Sequence, residues 1–280
     1  MWLTSPLAAG GSQVAYSGTL VESDSIASAR VVVLSACYFR LYVNGVPVSV
    51  VPHPLVRAPY LAGDGDAAAC SFDITRWLHA GSNSLTLHCC PSEPSSTTAF
   101  CLRVSGRCAD GRPIAYAADR SWLCQTLADS LTSAGAEWQD GRRRLQPVDE
   151  CVMRWHPAAE MPVGVPAGGG CHPDAGYESV SRVLRPRFFS VAGDGRSVMY
   201  DFGKGVYGVT RVTLRAPAGM GVKVNDAQYV CRGQIDEQFV AHFSPSWFRK
   251  LRISGGTGFD PSMVTTVEVL EPAHVAPLWR

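Results

Sequence analysis

The sequence predicts an all-β protein built of two antiparallel β-sandwich domains, and three observations predict it. Short alternating apolar and polar runs recur along the chain, separated roughly every ten residues by Gly, Pro, Asn and Asp. An Asn-Gly pair, Asn44-Gly45, sits between two such runs, where a type I′ hairpin turn needs positive φ at both central positions. No long stretch places apolar residues at the roughly 3.6-residue period of an amphipathic helix. A length of 280 residues suits two domains of ordinary size, and 46% hydrophobic residues supply their cores.

Residues 38–48 (YFRLYVNGVPV) give the sharpest local signal. A two-residue loop pairs Val43 with Val46 and Leu41 with Val48. Phe39, Leu41 and Val43 then share a face with Val46 and Val48, while Tyr38, Arg40 and Tyr42 take the other. Pro47 has no N–H to donate, so its arm belongs at a sheet edge. A polar, Pro-rich excursion follows over 51–66. Residues 71–78 (SFDITRWL) lead into a helical turn at 74–79, and 84–88 (SLTLH) alternate as a strand. Residues 100–104 and 113–118 form strands joined at Asp110-Gly111, and 126–131 carry a second helical hint. Beyond a Gly-, Pro- and Ala-rich stretch at 157–176, strands are expected at 198–201, 209–215, 222–224, 247–253 and 263–269. The expected division is a first domain at 1–150, a linker at 151–177 and a second domain at 178–280.

The net charge of +1 gives no electrostatic case for nucleic acid or an anionic membrane as partner. Only three of the 25 basic residues are lysines: Lys204, Lys223 and Lys250. The first residues, MWLTSPLAAGGSQ, lack the charged and apolar regions of a signal peptide, so the expected location is cytoplasmic. No run approaches the roughly 20 apolar residues of a membrane span. Ten cysteines without a C-x-x-C motif read as buried, reduced thiols rather than as zinc ligands or a disulfide framework.

No cofactor is expected. Residues 164–170 are Gly-rich but lack the lysine of a phosphate loop. Asp201-Phe202-Gly203 has none of the motifs that accompany it in kinases, and no G-x-S-x-G elbow occurs. The seven histidines never fall at i, i+4 on a helix, so no metal is expected from them. Asp64 and Asp66 offer too few carboxylates for calcium unless backbone carbonyls help.

Three groups of segments, in order, resemble the N-terminal half of bacterial α-L-rhamnosidases. Residues 29–45 (ARVVVLSACYFRLYVNG), 72–78 (FDITRWL) and 81–87 (GSNSLTL) resemble the first ancillary module, a galactose-binding-like jelly roll. Residues 110–122 (DGRPIAYAADRSW) and 136–143 (AEWQDGRR) resemble its closing region, with a DG turn, a D-x-x-W and a GE-x-x-DAR-like stretch. Residues 200–208 (YDFGKGVYG), 218–228 (AGMGVKVNDAQ), 233–236 and 247–251 (WFRKL) resemble the concanavalin-like sandwich that follows. The chain departs from the family at Lys204 and Gly205, where Gln and Asn are usual. It departs again at Gln228, where Glu is usual, and after Phe248, where Arg-Lys-Leu replaces Arg-Tyr. The resemblance implies an (α/α)₆ barrel carrying the catalytic carboxylates. The sequence up to residue 280 shows no helical repeat for one, so no catalytic residue is expected in it.

Inverting glycoside hydrolysis needs an acid and a base about 6.5–9.5 Å apart across a sugar pocket. The acidic residues are scattered through turns, and the adjacent pairs Asp149-Glu150 and Asp236-Glu237 read as solvated turn carboxylates. Sugar binding would use an exposed aromatic platform with nearby hydrogen-bonding groups. The candidates are Arg57, Tyr60 and Asp64 in the polar excursion, then Trp122 and Trp138. Trp77 is expected in the interior, and the plain reading of any single aromatic is core or rim. The expected function is a non-catalytic carbohydrate-associated protein, an ancillary part of an α-L-rhamnosidase-like system with weak binding of a rhamnose-containing glycan. One alternative is an N-terminal fragment or subunit of an α-L-rhamnosidase whose barrel lies on another chain or is lost. The other is a structural module that self-associates as a homodimer, or meets a catalytic-domain partner chain, through the second domain.

Overall fold

A computed structural model describes residues 1–8, 11–48, 68–91, 98–132, 135–143, 148, 154–161, 171–172 and 180–272. Among these there is no α-helix, and the described residues are strands, turns and short 3₁₀ segments. The strands are β1 (Leu3–Thr4), β2 (Ser12–Glu22), β3 (Ile26–Ser35), β4 (Tyr38–Val43), β5 (Val46–Pro47), β6 (Ala68–Asp73), β7 (Gly81–Cys90) and β8 (Ala99–Cys108). They continue with β9 (Pro113–Ala117), β10 (Leu123–Leu131), β11 (Glu137–Asp140), β12 (His156–Pro157), β13 (Ala159–Glu160), β14 (Cys171–His172) and β15 (Val180–Leu184). The remainder are β16 (Phe188–Val191), β17 (Ser197–Leu214), β18 (Gly221–Val224), β19 (Ala227–Val230), β20 (Glu237–Val240), β21 (Ser246–Gly255) and β22 (Val264–Pro272). The chain divides into two compact units: Met1–Leu127 with Leu145–Gly176, and Ala128–Arg144 with Tyr177–Arg280.

Unit 1 is a pair of sheets. One runs β13-β1-β8-β3-β6-β14 with β9 on β8; the other runs β10-β2-β7-β4-β5 with β12 on β10. Val31, Val33, Phe72, Phe100 and Leu102 from the first join Tyr16, Phe39, Leu41, Leu85 and Leu87 from the second in one core. Each such side chain contributes about 1.5–3 kcal/mol by leaving water. The Asn-Gly hairpin forms as predicted, with φ of 50° at Asn44 and 75° at Gly45 and Val43 opposite Val46. Asn44 also ties the turn to β7, accepting from Ser84 N at 2.8 Å and donating to Asn83 Oδ1 at 2.9 Å. β5 ends the sheet order, as Pro47 requires. Val46 is exposed rather than facing the core, and Arg40 is buried on the face opposite to it, directly across from His88 on β7.

Two further expectations change. Residues 126–131 are strand, not helix, because β10 finds ladder partners at Leu123↔Pro157 on β12 and Ser130↔Trp138 on β11. Cross-strand pairing overrides a weak local helical pattern. Residues 128–144 also group with unit 2, although the sequence reading places the break at 150. The cause is Glu137, 1% exposed, whose carboxylate accepts hydrogen bonds from His242 N, Phe243 N, Ser244 Oγ and Gln139 Nε2. Those bonds hold β11 in the second core rather than the first.

The eight described cysteines are free thiols, and all but Cys101 are buried. Cys151 and the side chain of Cys171 lie outside the described residues. Of the eight, Cys101 alone is expected to take up an alkylating reagent within minutes in the native protein, the other seven reacting only after unfolding. Peptide mapping of alkylated protein checks this, and rapid native labelling of Cys37 or Cys89 would overturn it.

Unit 2 is organised by β17. Its residues up to Gly208 pair with β16 and β21, and those from Val209 onward with β20 and β22. The register breaks between Asp201 and Val206, where Phe202-Gly203-Lys204-Gly205 bulge out and Gly203 takes a φ of 78°. β17 passes to β20 and β22 only beyond Gly208, and β21 pairs with it on both sides of this bulge, which sharpens the local twist of the strand. Asp201 secures the bulge by accepting from Gly203 N at 2.7 Å. Phe202, Val212, Tyr229, Phe239, Leu251, Ile253, Val267 and Val269 belong to the core. Asp236-Glu237 is not a solvated pair: Asp236 turns outward to Arg215, whereas Glu237 is buried and accepts from Arg232 N at 2.8 Å.

Candidate functional site

β21, β18, β19 and β11 lie side by side in unit 2, and their registers align one residue from each. Ser254 faces Lys223, Lys223 faces Gln228, and Gln228 faces Trp138. Directly opposed residues on neighbouring strands share a face. The alternation fixes which face: Val222, Val224, Tyr229 and Ile253 point into the core, so Lys223, Gln228 and Ser254 point out of it. With strands about 4.8 Å apart, the row from Trp138 to Ser254 spans roughly 14 Å.

This row lines a groove of about 350 Å³, at the small end of the usual range for ligand sites. Its wall at one end is the half-buried indole of Trp138. Gly221, Gly255 and Gly256 also line it, contributing no side chain to fill it. Gly255 has a second reason to be glycine, since a Cβ there would sit 2.4 Å from the Phe259 ring. A Cβ on Gly221 would meet open space. Asp140 anchors the end of β11, taking two hydrogen bonds from Arg142 at 2.8 and 2.9 Å. Those bonds hold its carboxyl below the usual carboxylate range.

No lining residue of the groove carries a carboxyl group. The site offers a ring face, an ammonium, an amide and a hydroxyl, which suit hydrogen bonding and stacking. It has no acid and base with which to split a glycosidic bond. Among the described residues, no group of three or more His, Cys, Asp or Glu side chains could hold a metal ion. No helix among them is long and apolar enough to cross a membrane.

Of the sequence-predicted site residues, Arg57, Tyr60 and Asp64 lie outside the described residues, as does Asp66. Trp122 is a core residue: it is 0% exposed, its ring lies 5.3 Å from that of Phe100, and its Nε1 donates to Tyr116 Oη at 2.6 Å. A Cβ on Gly18 would fall 2.2 Å from that ring. A ring packed on all sides has no face for a sugar, so Trp122 does not serve as a platform. Trp138 stands in the groove beside Gln228, Lys223 and Ser254, none of which the sequence reasoning named as a binding residue. The signal for Lys223 was present: Val224-Asn225-Asp226-Ala227 is a two-residue hairpin, which sets Lys223 opposite Gln228.

Solved structures match this fold over nearly the whole chain. The fold is shared with α-L-rhamnosidases. The enzyme from Dictyoglumus thermophilum aligns with a TM-score of 0.76 and 16% identity, covering 98% of this chain and 35% of its own. That from Aspergillus terreus gives 0.70 and 15%, covering 97% and 36%. The Streptomyces avermitilis enzyme, solved with L-rhamnose, gives 0.71 and 16%, covering 95% and 29%. At such identities the likeness is one of fold, and the chain spans about a third of the length of these enzymes. No family model matches the sequence, and no curated protein matches it.

Proposed function

We propose that the chain is a non-catalytic carbohydrate-associated protein, an ancillary part of an α-L-rhamnosidase-like system, that binds a glycan weakly in the Trp138 groove. The observation that carries this reading is a groove with an aromatic wall and a row of hydrogen-bonding side chains, lined by no carboxyl group. A sugar ring laid on Trp138 would leave its hydroxyls to Gln228, Lys223 and Ser254. A site this small and open supports modest affinity.

A second reading is that the chain is a fragment or subunit of an α-L-rhamnosidase whose catalytic barrel lies elsewhere. It is favoured by the coverage, nearly all of this chain against about a third of each enzyme. On either reading the purified chain is expected to release no sugar from an aryl α-L-rhamnoside above a mock preparation. A glycan array should yield ligands whose affinity falls about tenfold in Trp138→Ala, a loss of about 1.4 kcal/mol. Gly221→Leu, which projects a side chain into open groove space, should lower binding as much while leaving the melting transition unchanged. An array without ligands, or ligands indifferent to both substitutions, would sink the glycan-binding reading.

A further inference from the structure

The groove opens onto a basic column along β21. Lys250, Arg252 and Ser254 are alternate residues of that strand and point away from the core, opposite in sense to buried Leu251 and Ile253. Ser254 belongs to the groove row, so Arg252 and Lys250 continue from it along the same face. Lys223, in the groove, stands diagonally from Arg252, a separation of about 7–8 Å between neighbouring strands. Arg252 and Lys250 are about 7 Å apart along the strand.

The column has little negative charge to balance it. Asp201, opposite Lys250, is shared among Gly203 N, Arg249 and Lys250. Asp226 is exposed at the β18–β19 turn. Among the described residues neither Lys223 nor Arg252 pairs with a carboxylate. Arg252 instead donates to Ser197 Oγ at 3.3 Å, which steadies its guanidinium on this face. The chain has only three lysines; Lys223 and Lys250 both fall here, and the third, Lys204, sits in the bulge after Asp201. A neutral sugar can take only ordinary hydrogen bonds from these cations, whereas one bearing carboxylates or sulfates gains stronger charge-assisted ones at each.

We infer that the Trp138 groove and the Lys223–Arg252–Lys250 column together take a negatively charged oligosaccharide, bearing uronate or sulfate groups. This rests on the glycan-binding reading above and adds the ligand's charge. Trp138 supplies the stacking face, and the cations meet anionic groups on successive sugar units.

The test is calorimetric titration of the full chain with three oligosaccharides of equal length: an oligouronate, a sulfated oligosaccharide and a neutral one. At about 50 mM salt, at least one anionic ligand is expected to bind tenfold or more tighter than the neutral one. That advantage should shrink several-fold at about 300 mM salt, where exposed charges are screened. Lys223→Gln and Arg252→Gln should each weaken the anionic ligand three- to tenfold; Arg252→Gln, outside the groove lining, should leave any neutral binding unchanged, while Trp138→Ala weakens both. Arg120→Gln, an exposed arginine of unit 1, should change nothing. Which anionic ligand prefers the wild type identifies uronate or sulfate. Equal affinity for neutral and anionic ligands would overturn the charge inference and leave the glycan reading standing, as would an Arg120→Gln effect as large as that of Lys223→Gln. Absence of binding to all three overturns both.

Discussion

Replacing Glu137 with alanine is expected to destabilise unit 2 by about 3–5 kcal/mol, the cost of removing one side of a buried charged network. Its two oxygens do different work. Oε1 accepts from Phe243 N at 2.5 Å and Ser244 Oγ at 2.8 Å; Oε2 accepts from His242 N at 3.0 Å and Gln139 Nε2 at 2.5 Å. Burial pushes the carboxyl upward, and these four donors pull it back toward ionisation without fully cancelling the rise. In the alanine variant two backbone N–H groups lose their acceptor, each costing about 1–3 kcal/mol where water cannot replace it. Glu137→Gln is expected to fall between, because whichever way the amide turns, its NH₂ confronts two donors. Glu160→Ala, which breaks an exposed pair with Arg120, should stay within about 0.5 kcal/mol of the wild type. Urea unfolding followed by hydrogen exchange of peptides from 197–272 reads unit 2 directly. A Glu137→Ala protein within 1 kcal/mol of the wild type would show that the network is decorative.

That carboxylate also shows what the sequence could and could not convey. The hairpin at Asn44-Gly45 was legible because a positive φ at both positions is a local demand met by few residue pairs. The strands of β7, β8 and β21 were legible from alternation. The assignment of 136–143 to a unit was not, because it depends on long-range hydrogen bonds to residues 242–244, more than 100 positions away. The family resemblance located this stretch and attached it to the first module; the geometry attaches it to the second. The site followed the same division. Trp122 and Trp138 look alike as letters, but the first meets Gly18 and Phe100 inside unit 1 and the second stands beside glycines at a groove. Glu237 looked like a turn acid beside Asp236, yet the chain reverses there with a φ of 56° at Asp236, sending the two carboxylates in opposite directions.

The second large effect is a pH dependence in unit 1, carried by His88. Burial, and then the charge of Arg40 across the strand pair, drive its imidazole down to about 3. Its Nε2 is 2.7 Å from Gln13 Oε1, a contact in which the neutral ring donates. In the unfolded chain the same ring titrates near 6.5. Between these values the unfolded state holds a proton that the folded state refuses, so stability rises with pH. The contribution is complete above about pH 6.5 and is lost progressively as the pH falls toward 3, a total on the order of 4 kcal/mol. His88→Gln keeps a donor for Gln13 and has no proton to gain. The difference in unfolding free energy between wild type and His88→Gln should therefore shrink by several kcal/mol from pH 7 to pH 4, as the wild type loses stability that the variant does not. Unit 2 responds in the opposite sense through Asp129, whose carboxyl burial raises to about 7. It favours the folded state below pH 7, so acidification from 7 to 4 should protect peptides around 128–144 while exposing those of 81–90. Hydrogen exchange at pH 7 and pH 4 separates the two. Equal loss of protection in both units, or a wild-type-minus-variant difference that stays flat across that range, would rule out His88 as the acid-sensitive group.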